Sequence, residues 1–307
     1  MENRHVYDMI IVGGGPGGYT AALYAARAGL DVLVLEKLSA GGQMALTHQI
    51  DNYPGFPEGI DGFELGEKMQ QQAEHFGAQS EYAQVLSTEL SSDPKVLHTD
   101  AGDFYGKTVV IATGADPKKL GLPNEDALVG KGVAYCAACD GQFYRDKVVA
   151  VVGGGNSAAA DATILSRIAK KVYLIHRRDS LRADKASSAG LYKADNVEFI
   201  WNNTVTELLY EDKLTGLKLN NIHTGEESVL PVDGVFVSIG RQPVTGFIAD
   251  QLELDHGYIP AGEDTATCLP GVYAVGDVRT KQLRQIVTAV ADGAQAVHQA
   301  ENYLATK

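Results

Sequence analysis

One pattern occurs twice in this chain and limits what it can fold into: an apolar run, a glycine-rich turn, and an alanine-rich helical stretch. The first copy runs from Met9 to Val12, through Gly13-x-Gly15-x-x-Gly18, into a helix over Tyr19 to Ala28. Gly29 stands where a helix C-cap belongs, and Val32 to Leu35 supplies a second strand. The second copy has a strand at Val148 to Val152, the turn Gly153-x-Gly155-x-x-Ala158, a helix over Ser157 to Ala169 and a strand at Val172 to Ile175. Each copy is a βαβ unit whose turn suits a dinucleotide. The first glycine makes the tight turn, and the second lets a pyrophosphate approach the backbone. The third position permits close helix–strand packing, and the helix N-terminus holds the anion. Further strands are expected at Val109 to Ala112, Gly234 to Ile239 and Val272 to Val275, with a last helix from near Gln285 to Leu304. The pattern predicts an α/β chain with two Rossmann-like nucleotide-binding domains.

The two copies differ after their second strands. Glu36 lies 18 residues after Gly18, where a carboxylate accepts hydrogen bonds from ribose hydroxyls. An acid there suits FAD or NAD and repels a 2′-phosphate. The second copy gives His176-Arg177-Arg178 and then Arg182. Guanidinium groups match a doubly charged phosphate in charge and in fork geometry, so NADPH is expected over NADH. Gly276-Asp277 follows another strand and offers a carboxylate to the sugar-like chain of a flavin, although Gly-Asp is also an ordinary turn.

Between the two motifs lies Cys136-Ala137-Ala138-Cys139-Asp140. Thiols at this spacing form a small-ring disulfide, and the motif commonly lowers a thiol's pKa. Zinc needs two more ligands. Only Cys268 remains, and the eight histidines form no H-x-x-x-H pair, so redox chemistry is expected and no metal. Asp140 is placed to carry a proton for a departing thiolate, or is a plain turn aspartate. Cys268 reads as a small loop or core residue.

Composition narrows the partners. A net charge of −13 argues against nucleic acid, which needs clustered Lys and Arg. No apolar run is long enough to span a bilayer, and Met1 to Asp8 lacks a signal-peptide pattern. Three cysteines in 307 residues are not a disulfide scaffold, so a reducing cytoplasm is expected. The 34 glycines anticipate backbone passing close to ligands.

Together these pieces resemble the low-molecular-weight, bacterial-type thioredoxin reductases over the whole chain. The resemblance rests on motifs in the family's order: Ile11-Val12-Gly13-Gly14-Gly15-Pro16-Gly17, Gly41-Gly42-Gln43-Met44, Asp51-Asn52-Tyr53-Pro54-Gly55 and Ala112-Thr113-Gly114-Ala115. It continues through Cys136-Ala137-Ala138-Cys139-Asp140-Gly141, Gly153-Gly154-Gly155-Asn156-Ser157-Ala158, His176-Arg177-Arg178-Asp179, Gly276-Asp277-Val278 and Arg284-Gln285.

The resemblance implies an FAD domain made of residues 1–116 and 246–307. An NADPH domain, 117–245, is inserted in it and carries the cysteines. FAD contacts are then expected from Gly13, Gly15, Pro16, Gly18, Glu36, Lys37, Gly42, Gln43, Asn52, Thr113 and Gly114. Gly276, Asp277, Arg284, Gln285 and Ile286 complete that set. NADPH contacts are expected from Gly153, Gly155, Asn156, Ser157, His176, Arg177, Arg178, Arg182 and Gly240. The resemblance further implies that Cys139 exchanges electrons with the flavin, that Cys136 attacks thioredoxin's disulfide, and that Asp140 is the acid/base. It implies a homodimer, and a rotation of the inserted domain about crossings near Ala115 and Gly246.

Two departures stand out. The family often has acids at the two positions held here by Ala160 and Asp161, near the nicotinamide. Ala137 and Ala138 lie between the cysteines, where a bulkier β-branched residue is common. Related chains that use ferredoxin lack an NADPH site, which the intact second motif and Arg177-Arg178 argue against. Relatives serving a peroxidase carry an extra N-terminal redox domain, whereas this sequence opens at the FAD motif. Relatives that reduce ferredoxin or flavodoxin lack the cysteine pair. A non-catalytic nucleotide sensor has no use for a dithiol. Another small disulfide protein as acceptor stays open.

Overall fold

The computed structural model describes residues 4–47 and 49–307. Along the chain the first strands and helices are β1 (Val6–Val12), α1 (Pro16–Arg27), β2 (Val32–Glu36), α2 (Gly62–His75), β3 (Gln79–Tyr82), β4 (Val85–Glu89), β5 (Lys95–Thr99), β6 (Gly102–Ile111) and β7 (Ala115–Pro117). Next come β8 (Val133–Ala134), α3 (Ala137–Asp140), β9 (Val148–Val152), α4 (Asn156–Ser166), β10 (Lys171–His176), α5 (Lys185–Ser188) and β11 (Val197–Trp201). The last are β12 (Asn203–Tyr210), β13 (Leu214–Asn221), β14 (Glu227–Pro231), β15 (Gly234–Val237), β16 (Arg241–Pro243), β17 (Val272–Ala274) and α6 (Ile286–Leu304). The chain divides into two units, one reaching Asp116 and resuming at Gln242, the other spanning Pro117–Arg241.

The first unit is built on a seven-stranded sheet of order β3-β2-β1-β6-β5-β4, with β17 also on β6. The pairs β1–β2, β1–β6, β2–β3 and β6–β17 are parallel, while β4 and β5 run antiparallel. Buried on both faces, the central strands are continuously apolar. One face packs Ile11, Val34 and Val110 against alanines of α1 and α6. The other packs Ile10, Leu33 and Ile111 against Ile248, Leu252 and Ile259. Small residues set the helix spacing: a Cβ on Gly293 of α6 would lie 2.3 Å from the Gly17 carbonyl of α1. Asp61 caps α2 by accepting the Phe63 and Glu64 N–H groups.

The second unit has a five-stranded sheet of order β11-β10-β9-β15-β8, parallel throughout. Ala158, Ala159, Ala162 and Leu165 of α4 cover one face. An antiparallel sheet, β12-β13-β14, covers the other with Leu208, Leu217 and Leu219.

Several boundaries differ from those read in the sequence. Helix α1 begins at Pro16, three positions before Tyr19, because Gly15 serves as N-cap and proline's missing N–H costs nothing at the first helical position. Helix α4 stops at Ser166, short of Ala169. The return crossing between units falls at Arg241–Gln242, ahead of Gly246, where β16 pairs with β7 as a two-stranded ribbon.

Candidate active site

In each unit the motif residues follow the carboxyl ends of parallel strands, where open α/β sheets bind ligands. In the first unit Gly13 follows β1, Glu36 ends β2, Thr113 and Gly114 follow β6, and Gly276 and Asp277 follow β17. In the second, Cys136 follows β8, Gly153 follows β9, His176 ends β10 and Gly240 follows β15.

The two glycine turns have the same anatomy. Gly13 has φ +106° and Gly153 has φ +152°, and a Cβ on either would strike a carbonyl, that of Ala112 at 2.6 Å or Ser238 at 2.3 Å. Gly15 and Gly155, each at a helix N-cap, have nothing within 4 Å of a Cβ position, which leaves the approach to the helix N-terminus open. A Cβ on Gly18 would sit 1.9 Å from the Gly13 carbonyl, whereas Ala158 is accommodated in the second turn. These cradles fit pyrophosphates.

Glu36 receives the Gly14 N–H at 2.5 Å and the Lys37 and Leu38 N–H groups at 2.8 and 3.2 Å, so its carboxylate is fixed beside the first turn. His176 occupies the equivalent place beside the second. Its ring fills the volume where Gly154 would carry a Cβ, at 2.3–2.5 Å. It is buried, and its Nε2 has no hydrogen-bond partner among the described residues, an atom that a nucleotide would satisfy. Burial, then the charges of Arg182, Arg178 and Arg177, hold its pKa below the ordinary histidine value. The Arg182 and Ala183 N–H groups bond the Gly154 carbonyl, bringing that arginine to the turn. Asn156, which opens α4, is held by two hydrogen bonds with Asp184, and Ser157 is exposed in the same turn.

Other expected flavin residues converge on the same edge of the first sheet. Pro16 opens α1. Gly42 packs toward Gly15, its Cβ position 3.5 Å from the Gly15 Cα. Gln43 donates to Asp116 at 2.7 Å, Asn52 donates to Gln285 at 3.0 Å, and Thr113 donates to the Val244 carbonyl at 2.7 Å. Gln285 caps α6, in a capping box with Thr288, and Ile286 begins the helix. Arg284 lies over the Tyr258 ring at 4.4 Å and donates to the Asp277 carbonyl. The Gly114 carbonyl accepts the Val244 N–H, and the Gly240 carbonyl accepts that of Lys118.

Cys136 and Cys139 form a disulfide, their Cα atoms 5.3 Å apart. Cys136 is the N-cap of the one-turn helix α3, and its Sγ accepts the Cys139 N–H at 3.2 Å. Both residues are half-buried, and Asp140 ends the turn. Cys268 is free and exposed in a loop. Among the described residues no group of three or more His, Cys, Asp or Glu is set to hold a metal ion.

One acid escaped sequence reasoning, and a second has partners that the sequence did not show. Glu125 is buried and accepts the N–H groups of Leu120, Gly121 and Leu122 and the hydroxyl of Tyr135, the residue before Cys136. Burial, then Glu125 itself, raises the Tyr135 pKa. Asp161, expected near the nicotinamide, accepts the Ala137 N–H at 3.2 Å and the Ser238 hydroxyl. A buried carboxylate amid backbone donors is visible only once the loops are folded.

Residues 7–293 match the family model described as pyridine nucleotide-disulphide oxidoreductase. The chain is 46% identical to a thioredoxin reductase of Streptomyces coelicolor over 98% of its own length and 94% of that protein's. It is 44% identical to one from Listeria innocua, over 99% and 95% of the two chains. Among solved structures, thioredoxin reductase from Streptococcus pyogenes superposes with a TM-score of 0.90 at 43% identity, covering 98% of this chain and 99% of that one. With its paired nucleotide turns and its disulfide at the end of a parallel strand, the chain belongs to the pyridine nucleotide-disulphide oxidoreductase family and, within it, to the thioredoxin reductases.

Proposed function

We propose that this protein is an NADPH-dependent thioredoxin-disulfide reductase carrying FAD. The observation that carries the reading is the second unit's carboxyl edge, where the Cys136–Cys139 disulfide and an arginine-flanked nucleotide turn follow strands of one sheet. Arg177, Arg178 and Arg182 hold the 2′-phosphate, and the N-terminus of α4 holds the pyrophosphate. In the first unit Gly13, Gly15, Gly18 and Glu36 hold the FAD pyrophosphate and ribose, with Gln43, Asn52, Asp277 and Gln285 along the rest of the cofactor. FAD, when bound, supplies the two-electron relay between nicotinamide and disulfide.

The chain's own residues do the rest. Cys139 accepts the electrons as the S–S bond breaks. Cys136 attacks the disulfide of thioredoxin, and its thiolate is favoured by the Cys139 N–H directed at its sulfur. Asp140 moves the proton. The nucleotide turn and the redox pair both ride on the second unit, while the flavin residues belong to the first. The second unit therefore presents its two groups in turn, moving about Asp116–Pro117 and Arg241–Gln242. We place the protein in the cytoplasm as a homodimer. Among the described residues no helix is long and apolar enough to cross a membrane.

The test is reduction of DTNB by the purified yellow protein with NADPH, with and without thioredoxin. Colour that depends on thioredoxin is expected. If NADPH bleaches the flavin but thioredoxin adds nothing, another disulfide protein is the acceptor. If NADPH fails to bleach it, the assignment of Arg177 and Arg178 is wrong and a ferredoxin donor takes its place.

A further inference from the structure

Asp161 lies on α4, yet one of its oxygens takes the Ala137 N–H and the other the hydroxyl of buried Ser238, just beyond β15. Three elements of the second unit thus meet at one carboxylate, and one of its donors, Ala137, is next in sequence to Cys136. The N-terminus of a helical turn offers backbone donors and a partial positive charge, both of which favour a thiolate at the cap. Here the Cys139 N–H goes to the Cys136 sulfur and the Ala137 N–H goes to Asp161.

We propose that Asp161 is a positioning residue of the redox pair: by taking the Ala137 N–H and setting a negative charge beside the turn that starts at Cys136, it disfavours the Cys136 thiolate and makes the dithiol a stronger reductant. A dithiol whose thiolate is stabilised is a weak reductant, and its disulfide a strong oxidant. Withholding that stabilisation moves the pair the other way, the useful direction for a protein that reduces other disulfides. Reduction puts two electrons into the Cys136–Cys139 bond, which breaks. Cys139 takes a proton from solvent by way of Asp140, and Cys136 stays a thiolate or takes a second proton from solvent. Exchange then passes the same two electrons to the partner's disulfide. Arg241 offsets the carboxylate's charge in part, and burial, the largest influence on Asp161, raises its pKa from the ordinary value.

The inference rests on the reading of Cys136–Cys139 as the redox pair. That reading fails separately if Cys136→Ser retains thioredoxin reduction. Asp161→Asn keeps an oxygen for the Ala137 N–H and removes the charge. Asp161→Ala removes both, and Asp161→Glu keeps the charge. The FAD-loaded proteins are equilibrated with glutathione redox buffers, and the Cys136–Cys139 peptide is quantified after thiol trapping. Asp161→Asn is expected to shift the exchange equilibrium about tenfold toward dithiol, about 30 mV for this two-electron couple. Asp161→Ala is expected to shift it further, and Asp161→Glu to stay near the native value. In a reduced Cys139→Ser background, Asp161→Asn should speed alkylation of Cys136 several-fold. A folded Asp161→Asn protein with the native equilibrium and alkylation rate overturns the proposal, whether its melting temperature or its KM for NADPH has changed or not.

Discussion

Glu36 and His176 stand at the ends of corresponding strands, each against the second residue of its own glycine turn. One places a carboxylate there. The other places an imidazole whose protonation is opposed by burial and by three arginines, so the positive charge belongs to the guanidinium groups. On the proposed assignment a 2′-phosphate is recognised chiefly by Arg177, Arg178 and Arg182. A charge-assisted hydrogen bond is worth about 1.5–3 kcal/mol, or roughly ten- to a hundredfold in affinity. Arg177→Ala and Arg178→Ala are therefore each expected to raise the KM for NADPH by about that factor while leaving the value for NADH nearly unchanged. Steady-state kinetics with both nucleotides checks this, and equal losses for the two would remove the phosphate assignment. The place of Glu36 and His176 at the ends of β2 and β10 was legible because the motif fixes it by spacing alone. Glu125 and the contacts of Asp161 were not, because each carboxylate takes backbone N–H groups that a linear pattern does not locate. Gly154 was quoted as part of a motif, but its requirement for a bare Cα comes from the His176 ring, a contact across two strands.

At the scale of elements, the repeated βαβ pattern was legible through its apolar runs and glycines. The β12–β14 sheet was not, since its strands alternate weakly and β14 is largely exposed. Charge also ties elements together where no periodicity shows it. Asp292 of α6 accepts the Gly276 N–H at 2.8 Å, Arg279 Nε at 2.9 Å and Lys281 Nζ at 2.7 Å on one oxygen, and an Arg279 terminal nitrogen at 2.7 Å on the other. It therefore pins α6 to the turn that carries Asp277. Burial favours the neutral acid, but the bonds from Arg279, Lys281 and Gly276 outweigh it and hold the carboxyl below its ordinary pKa of 3.8. A depressed carboxylate adds stability above its unfolded pKa and loses it as pH falls through the folded one. Asp292→Ala leaves two buried cations without their anion and is expected to cost about 3–5 kcal/mol near neutral pH. Denaturant midpoints should show that gap narrowing below about pH 4, near an unperturbed aspartate's pKa. A gap that stays constant to pH 2 would show that lost packing, not charge, sets the cost.

At the scale of the whole molecule, the electrons impose an order. The disulfide and the second nucleotide turn both follow strands of the Pro117–Arg241 unit. On the proposed assignments, hydride delivery and disulfide reduction require that unit to bring different groups to the same flavin. The proposed motion follows if no one arrangement serves both steps, because transfer falls off steeply once reacting atoms leave near-contact distance. The chain crosses between units only at Asp116–Pro117 and Arg241–Gln242, and the adjoining segments pair as the β7–β16 ribbon, so any turning must be taken up there. A covalent cross-link joining the two units should hold one arrangement. It is expected to abolish steady-state reduction of thioredoxin while sparing a single half-reaction, either bleaching of the flavin by NADPH or its re-oxidation through Cys136–Cys139. Stopped-flow absorbance of the cross-linked protein separates the two. Cleaving the linker should restore turnover, which distinguishes a held arrangement from a damaged site. Full turnover in the cross-linked protein would mean that both exchanges proceed from one arrangement and that the ribbon does not act as a hinge.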